Sequence, residues 1–363
     1  MIVQVQLDVG SWGLFCGSDG KQLVLVDDKP CGPVSARKPT RAIPRRLLLD
    51  ENRIAQVMRS GNVISETVPH ADEQWAVEVR PVFSPRTSTV IGVLAGVAKA
   101  ADPLPEPPLV GGWEWEIERD ADGQPTLRRR TYWDRNLFRI YDVDTSVAQQ
   151  RSGYWEAGEW ASELIDQSDR MRVNSLIRDG IQDGLMGVTG KVRCLTYNIV
   201  TGYGTASQDR RHMRLVGVIP PIEPDHDKIY LQGFSYEAPE TFHDMAFEQD
   251  ANAGRVDDVL RGVMALAKEP MAVVDSATLD VLMTSPSWRR EDFGYVGGLG
   301  EFAIDSSGEL HRFIAAAARD TARSQSMGLA LRRVDGSVQN VRITATGVRS
   351  GAEGRDAVIR LDF

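Results

Sequence analysis

The sequence predicts an α+β protein of three consecutive modules, each an antiparallel sheet with helices on one face. Three observations carry that prediction. The chain has 363 residues, too many for one small core. A proline- and glycine-dense stretch, "AADPLPEPPLVGG", breaks it after the first hundred residues or so. Each part ends on alternating apolar and polar runs. The clearest is "LALRRVDGSVQNVRITATG", where Asp335-Gly336-Ser337 joins Leu329 and Leu331 to Val341, Ile343 and Ala345. Period-two alternation around a glycine turn is a hairpin with one face buried and one wet.

The first module, residues 1–100, begins with "MIVQVQLDVG", whose alternation predicts an opening strand. "DENRIAQVMRSG" follows as a helix, then "QWAVEVRPVFS" and "TVIGVLAGVA" as strands. Residues 101–112 form a Pro-rich linker, stiff and extended because proline continues neither a helix nor a central strand. Residues 113–222 are a second module. "GWEWEIE" places Trp113, Trp115 and Ile117 on one strand face, "TLRRRTYW" is its partner and "DRNLFRIY" a short helix. Ser168 and Asp169 suit a helix N-terminus, ahead of a stripe through Met171, Val173, Leu176, Ile177 and Ile181. "GKVRCLTYNIVTGYG" and "RRHMRLVGVIPP" are two closing strands.

Residues 223–253 are predicted to be an acidic connector. From Glu223 to Asp258 ten acids face two bases, so this stretch holds nearly all of the net charge of −9. Residues 254–363 are the third module, with an N-terminal flanking helix carrying Val256, Val259, Leu260, Val263 and Leu266 along one side. "EPMAVVDSATLDVLMTS" is a strand pair, "GELHRFIAAAARDTARS" a helix, and the hairpin and "AVIRLDF" close the chain. The flanking helix is expected to cover the hairpin through Val341, Ile343 and Ala345. The three closing strands, "TVIGVLAGV", "MRLVGVI" and "DAVIRLDF", are expected at sheet edges.

Composition narrows the function. No segment has the basic surplus of a nucleic-acid binder. No apolar run approaches the roughly 18 residues that cross a bilayer, and the N-terminus lacks a signal-peptide pattern. Cys16, Cys31 and Cys194 are odd in number and fit neither a disulfide framework nor a CxxC metal site; Cys194 reads as a small buried hydrophobe. These features predict a cytoplasmic protein.

The residues of the second and third modules resemble PAS domains. "WEWEI", "YWDRNLFRIY" and "LIDQSDRMRV" are similar to the family's pattern leading into its long helix. Asp169 and Arg170 match the last two positions there, and Gln167–Ser168 stand where the family has proline. "EPMAVVDSATLDVLMTSPSW" resembles its first hairpin and "RRVDGSVQNVRITATGV" its charged-Asp-Gly-Ser hairpin. In the first module "VRPVFSPRTSTVIGVLAGV" resembles the closing strands of a GAF domain, here truncated. The whole resembles GAF/PAS fusion sensory proteins of actinobacteria. The resemblance implies a five-stranded sheet per module and sensory or regulatory work; fold alone does not give function.

Motifs with chemical meaning yield no site. "YVGGLGEFAID" is similar to the metal-binding turn of diguanylate cyclases, but only Glu301 remains of its acids, so it reads as a glycine-rich loop. His70, His212, His226, His243 and His311 are scattered, and no ATP-binding domain follows His311. "EPDHDK" around His226 has the ligands for a divalent cation but lies in a linker. "TGYGTAS" opens no helix and reads as a turn rather than a phosphate loop. Cys194 sits in a strand, unlike the cysteine of flavin-binding PAS domains, and the long helix of the second module has no histidine for haem. Trp113, Trp115, Trp133, Trp155 and Trp160 read as core.

The expectation is therefore a non-catalytic sensory or signalling adaptor acting through ligand- or partner-dependent protein–protein contacts. Its alternatives are a structural scaffold and an enzyme using the first module. No catalytic, cofactor-binding or metal residue is assigned and no cofactor is expected. A protein partner and an unidentified small ligand are expected, without nucleic acid or membrane insertion. A monomer is favoured over a homodimer, because Asp250, Asp257 and Asp258 would repel their symmetry mates.

Overall fold

The computed structural model describes residues 5–119, 121, 123, 125–144, 146–147, 154–156, 160, 163–166, 169–203, 208–219, 228–244, 259–260, 262–277, 279–288, 298–304, 308–333, 336–348 and 356–363. Three antiparallel sheets dominate. The first holds β1 (Trp12–Cys16), β2 (Gln22–Val26), β3 (Lys29–Ser35), β4 (Ile64–His70), β5 (Glu73–Phe83) and β6 (Val90–Lys99), ordered β3-β2-β1-β6-β5-β4. The second holds β7 (Gly111–Arg119), β8 (Pro125–Trp133), β9 (Tyr154–Glu156), β10 (Val192–Thr201), β11 (Asp209–Val218) and β12 (Lys228–Glu237), ordered β10-β11-β12-β7-β8-β9. The third holds β13 (Met271–Asp275), β14 (Val281–Thr284), β15 (Gln325–Arg332), β16 (Val338–Val348) and β17 (Asp356–Asp362), ordered β14-β13-β17-β16-β15. In each sheet the strand that comes first in the chain pairs with the one that comes last: β1 with β6, β7 with β12, β13 with β17. The chain divides into two compact units, Met1–Trp155 with Leu176–Met245, and Glu156–Ser175 with Ala246–Phe363.

The expected α+β architecture, with helices covering one face of every module, is not what forms. Among the described residues strand accounts for 46% and helix for 23%, so the helices are too few to layer one face of every sheet. Helix α1 (Arg53–Ser60) contributes Ile54 and Val57 to a core with Val77, Val79 and Val93. Helices α2 (Arg135–Ile140) and α3 (Arg170–Leu185) belong to the second module's sequence, and α4 (Glu309–Arg319) to the third. The physical reason is how the first sheet buries its second face. Trp12, Leu14, Cys16 and Val24 pack against Cys194, Val216, Phe234 and Tyr236 of the second sheet, so strand covers strand. Both faces of β1 are apolar as a result, and all five of its residues are buried.

Four smaller expectations also change. Residues 5–11 form no strand, Leu7 makes a single bridge to Thr40, and residues 1–4 lie outside the described residues. The closing strands β6 and β17 are interior, flanked on both sides. The unbroken burial of Ile91–Ala98 is what an interior strand, covered on both faces, requires. "MRLVGVI" in β11 is not a last strand either, because Lys228–Glu237 of the expected acidic connector is β12, inserted between β11 and β7. Its charges sit at its two ends, while Leu231–Tyr236 between them is buried. Within β12, Gly233 leaves room for the indole of Trp113: a Cβ there would come 2.4 Å from the ring and 2.1 Å from the Val216 carbonyl oxygen.

The hairpin forms as read, with Leu329 opposite Val341 and Met327 opposite Ile343. Its apolar face, however, packs with Leu310, Ile314 and Ala317 of α4, not with the flanking helix. The described helical residues of that segment, 259–260 and 262–266, place Leu260 and Met264 on Val273, Leu282, Met283 and Val358. Val259, Val263 and Leu266 face outward, Leu266 being 84% exposed.

Candidate functional site

Period-two alternation aims Arg214 of β11 toward the first sheet, on the same side as Tyr236 directly opposite it on β12. Its side chain is completely buried. Nη1 donates to the carbonyl oxygens of Val24 (2.8 Å) and Cys31 and to Tyr236 Oη (2.9 Å). Nη2 donates to Asp244 Oδ1 at 2.6 Å, and Tyr236 Oη itself donates to the Val24 carbonyl at 2.8 Å. One guanidinium thus ties β2, β3, β11, β12 and the segment after β12. Burial opposes its charge, but Tyr236, Cys194 and Asp244 outweigh that and move its pKa up, so it stays a cation.

The three cysteines converge here. Burial pushes the Cys31 thiol up to about 11 and Cys194 up to about 12, with Arg214 opposing in both, and burial raises Cys16 as well. Such thiols are poor nucleophiles.

A second lock joins the β5–β6 loop to the second sheet. Glu114 Oε2 accepts from the backbone N–H groups of Arg86 (3.2 Å) and Thr87 (3.0 Å) and from Thr87 Oγ1 (3.1 Å). Arg86 pairs with Glu116 at 3.1 Å and lies over the Tyr132 ring. Gln232, opposite Glu114 on β12, donates to Thr87 Oγ1 at 2.6 Å.

Beside this loop opens a cleft of about 730 Å³, within the range of small-molecule sites. The end of β5 supplies Arg80, Val82 and Phe83, and the loop supplies Ser84 and Ser88. The proline-rich segment supplies Glu106 and Leu109, and α2 with its N-cap supplies Asp134, Asn136 and Arg139. The segment is held down rather than free. Trp12 Nε1 donates to the Pro105 carbonyl at 2.8 Å, and Leu104 packs into the inter-sheet core. Asp134 caps α2, accepting from Leu137 N at 2.7 Å, and also takes Gly112 N at 2.8 Å. Burial raises its pKa against those hydrogen bonds.

Most residues singled out from the sequence lie elsewhere. His212 is buried, its Nε2 3.0 Å from the Phe242 carbonyl and its ring edge-on to His243. His311 Nε2 is 3.2 Å from the Ala277 carbonyl, and His70 ends the edge strand β4. His226, "EPDHDK", Ser168 and residues 204–207 of "TGYGTAS" lie outside the described residues. Glu301 falls in a single helical turn, Leu299–Phe302. Trp113, Trp115, Trp133 and Trp160 are buried; the surroundings of Trp155 are not described. Among the described residues no group of His, Cys, Asp and Glu has the arrangement of a metal site, and no helix is long and apolar enough to cross a membrane. Sequence reasoning missed Arg214, Asp244 and Tyr236. The one signal was an arginine between apolar residues in "HMRLVGV", where a buried charge demands a partner.

No family model matches the sequence, and no curated protein matches it. Among solved structures, an uncharacterized protein from Mycobacterium tuberculosis superposes with a TM-score of 0.60 at 15% identity, over 98% of this chain and 96% of that one. At that identity the likeness shows a shared fold and nothing of activity. The PAS domain of an HTR-like protein from Haloarcula marismortui covers 31% of this chain and 95% of its own at 15% identity, with a TM-score of 0.23. An RNA-binding light-oxygen-voltage receptor covers 69% and 94% at 10% identity, also at 0.23. Superpositions that loose carry no argument.

Proposed function

We propose that the protein is a non-catalytic, cytoplasmic sensory adaptor in which a small ligand in the cleft alters how the first two sheets hold each other. One observation carries this reading: the cleft is lined at once by β5, the β5–β6 loop, the proline-rich segment and α2. A ligand seated there touches the loop whose backbone Glu114 grips, and the segment that Trp12 pins. Differential contact of that kind is what a ligand needs in order to shift an equilibrium. The resemblance of the second and third modules to PAS sequences supports a signalling role. The cleft lining offers neither cysteine nor histidine, and the carboxyl of Asp134 is held by backbone N–H groups, which supports binding rather than catalysis. The outward side chains Val259, Val263 and Leu266 support a protein-facing output.

The test is hydrogen exchange of the full chain with and without a compound that binds the cleft. Slower exchange at residues 84–89 and 109–112 is expected. A compound that binds and leaves both segments unchanged would reduce the protein to a scaffold with an incidental cleft.

A further inference from the structure

Proline sets the shape of the segment that joins the first two sheets. Pro103, Pro105, Pro107 and Pro108 each hold φ near about −65°, close to the polyproline II value, and Pro103–Leu109 forms neither helix nor strand. A polyproline II helix repeats every three residues or so. Burial here follows that period: Leu104 and Pro107 are half-buried and Val110 buried, while Pro103, Pro105, Glu106 and Leu109 are exposed. Pro108 is half-buried as well.

The first sheet offers this segment a fitted surface. Trp12 on β1 stands directly opposite Gly96 on β6, whose missing side chain leaves a notch. Leu104 fills it: a Cβ on Gly96 would come 3.0 Å from Leu104 Cδ2. Beside the notch the buried Trp12 indole donates from Nε1 to the Pro105 carbonyl at 2.8 Å, and the Arg80 guanidinium lies 5.3 Å over the Trp12 ring. A proline-rich backbone keeps its carbonyls but has few N–H groups, so a donor on a flat apolar ring suits it. Aromatic-lined grooves bind such segments because the preformed helix loses little entropy on docking.

The hold is light. Among the described residues the bond from Trp12 is the one hydrogen bond made by Pro103–Leu109. Beside Pro107 and Pro108 the surface stays open as the cleft, with Val82 and Leu94 in its lining.

We infer that the Trp12–Gly96 groove is a polyproline II recognition site, filled in cis by Leu104–Val110 and open to exchange with a proline-rich segment of another protein. That segment presents a leucine to the Gly96 notch and, at the next position, a proline carbonyl to Trp12. The site goes beyond the small-ligand reading of the cleft and does not depend on it.

The test adds a labelled synthetic peptide, ADPLPEPPLVG, to the full chain and reads Kd by fluorescence anisotropy. The tether holds the cis segment at an effective concentration on the order of millimolar, so the parent should bind the peptide weakly. Leu104→Asp removes the cis anchor and should bind it about ten-fold more tightly. A peptide with aspartate in place of its first leucine should show no such gain. Trp12→Phe added to the Leu104→Asp chain should weaken the peptide about five-fold, as loss of one hydrogen bond requires. Circular dichroism checks folding, and Leu104→Ala is read in the same way if the aspartate variant does not fold. Equal binding of the peptide to parent and released chains overturns the inference, as does equal binding of the two peptides. A gain untouched by Trp12→Phe overturns the role of the indole donor. A released chain that scatters light as two chains, and as one once peptide is added, overturns the partner and makes the occupant a second copy of this chain.

Discussion

Arg214 shows how much one residue can carry. Its charge is repaid only because Asp244, Tyr236 and two carbonyl oxygens meet it, and removing either member of a buried pair leaves the other uncompensated. Arg214→Met and Asp244→Asn should each lower stability by about 3–5 kcal/mol in urea denaturation; a loss below about 1 kcal/mol would show the node to be dispensable. The thiols give a second residue-scale prediction. Cys31 and Cys194 titrate higher in the folded protein, near 11 and 12, than in the unfolded chain. The folded state therefore binds more protons above pH 9, and stability falls as pH rises from about 9 toward 11 or 12. A thiol reagent at pH 8 should label the native chain far more slowly than the denatured one. Equal rates would contradict the burial of Cys16 and Cys194.

At the scale of elements, β12 and the flanking helix matter most. Residues 110–222 hold β7, β8, β10 and β11 but lack the strand that joins β11 to β7. That fragment should stay unfolded by circular dichroism, although the proline-rich boundary marks it as a module. A cooperative melt would mean the sheet closes without β12. The helical residues 259–266 have two apolar sides with different fates. Leu260→Asp, on the side packed against Val273 and Met283, should cost about 1–3 kcal/mol. Leu266→Asp, 84% exposed, should cost no more than about 0.5 kcal/mol. Light scattering should give the mass of one chain for both variants and the parent. A two-chain parent mass that drops to one in Leu266→Asp would overturn the monomer and place the pairing surface on Val259, Val263 and Leu266.

At the scale of the molecule, the first two sheets behave as one body. Their shared core includes Trp12, Leu14, Val24, Val216 and Phe234, and burial of each such side chain is worth about 1.5–3 kcal/mol. A chain divided between Glu106 and Pro107 and expressed as two pieces should reassemble, co-purifying until denatured. Pieces that fold separately and elute apart would show that the proline-rich segment is a linker after all.

Local pattern was enough to find most of the parts. The period-two runs of β5, β7, β10, β15 and β16 and the helices α1, α2 and α4 follow from side chains within a few residues of one another. Alternation also fixed which side of the hairpin is buried, since Val341, Ile343 and Ala345 can only turn inward together. What a face packs against is a different kind of fact. Leu14 and Val24 carry no mark saying that Val216 and Phe234, some two hundred residues later, will cover them, and apolar surface has no address. The same holds for Arg214, whose four acceptors come from β2, β3, β12 and the segment beyond it, and for the cleft, whose walls come from four separate stretches. The acidic stretch misled for the complementary reason. Its charge count is a sum over a window, whereas burial is decided residue by residue, and the apolar middle of β12 could be recognised as a central strand only once β11 and β7 stood on either side of it.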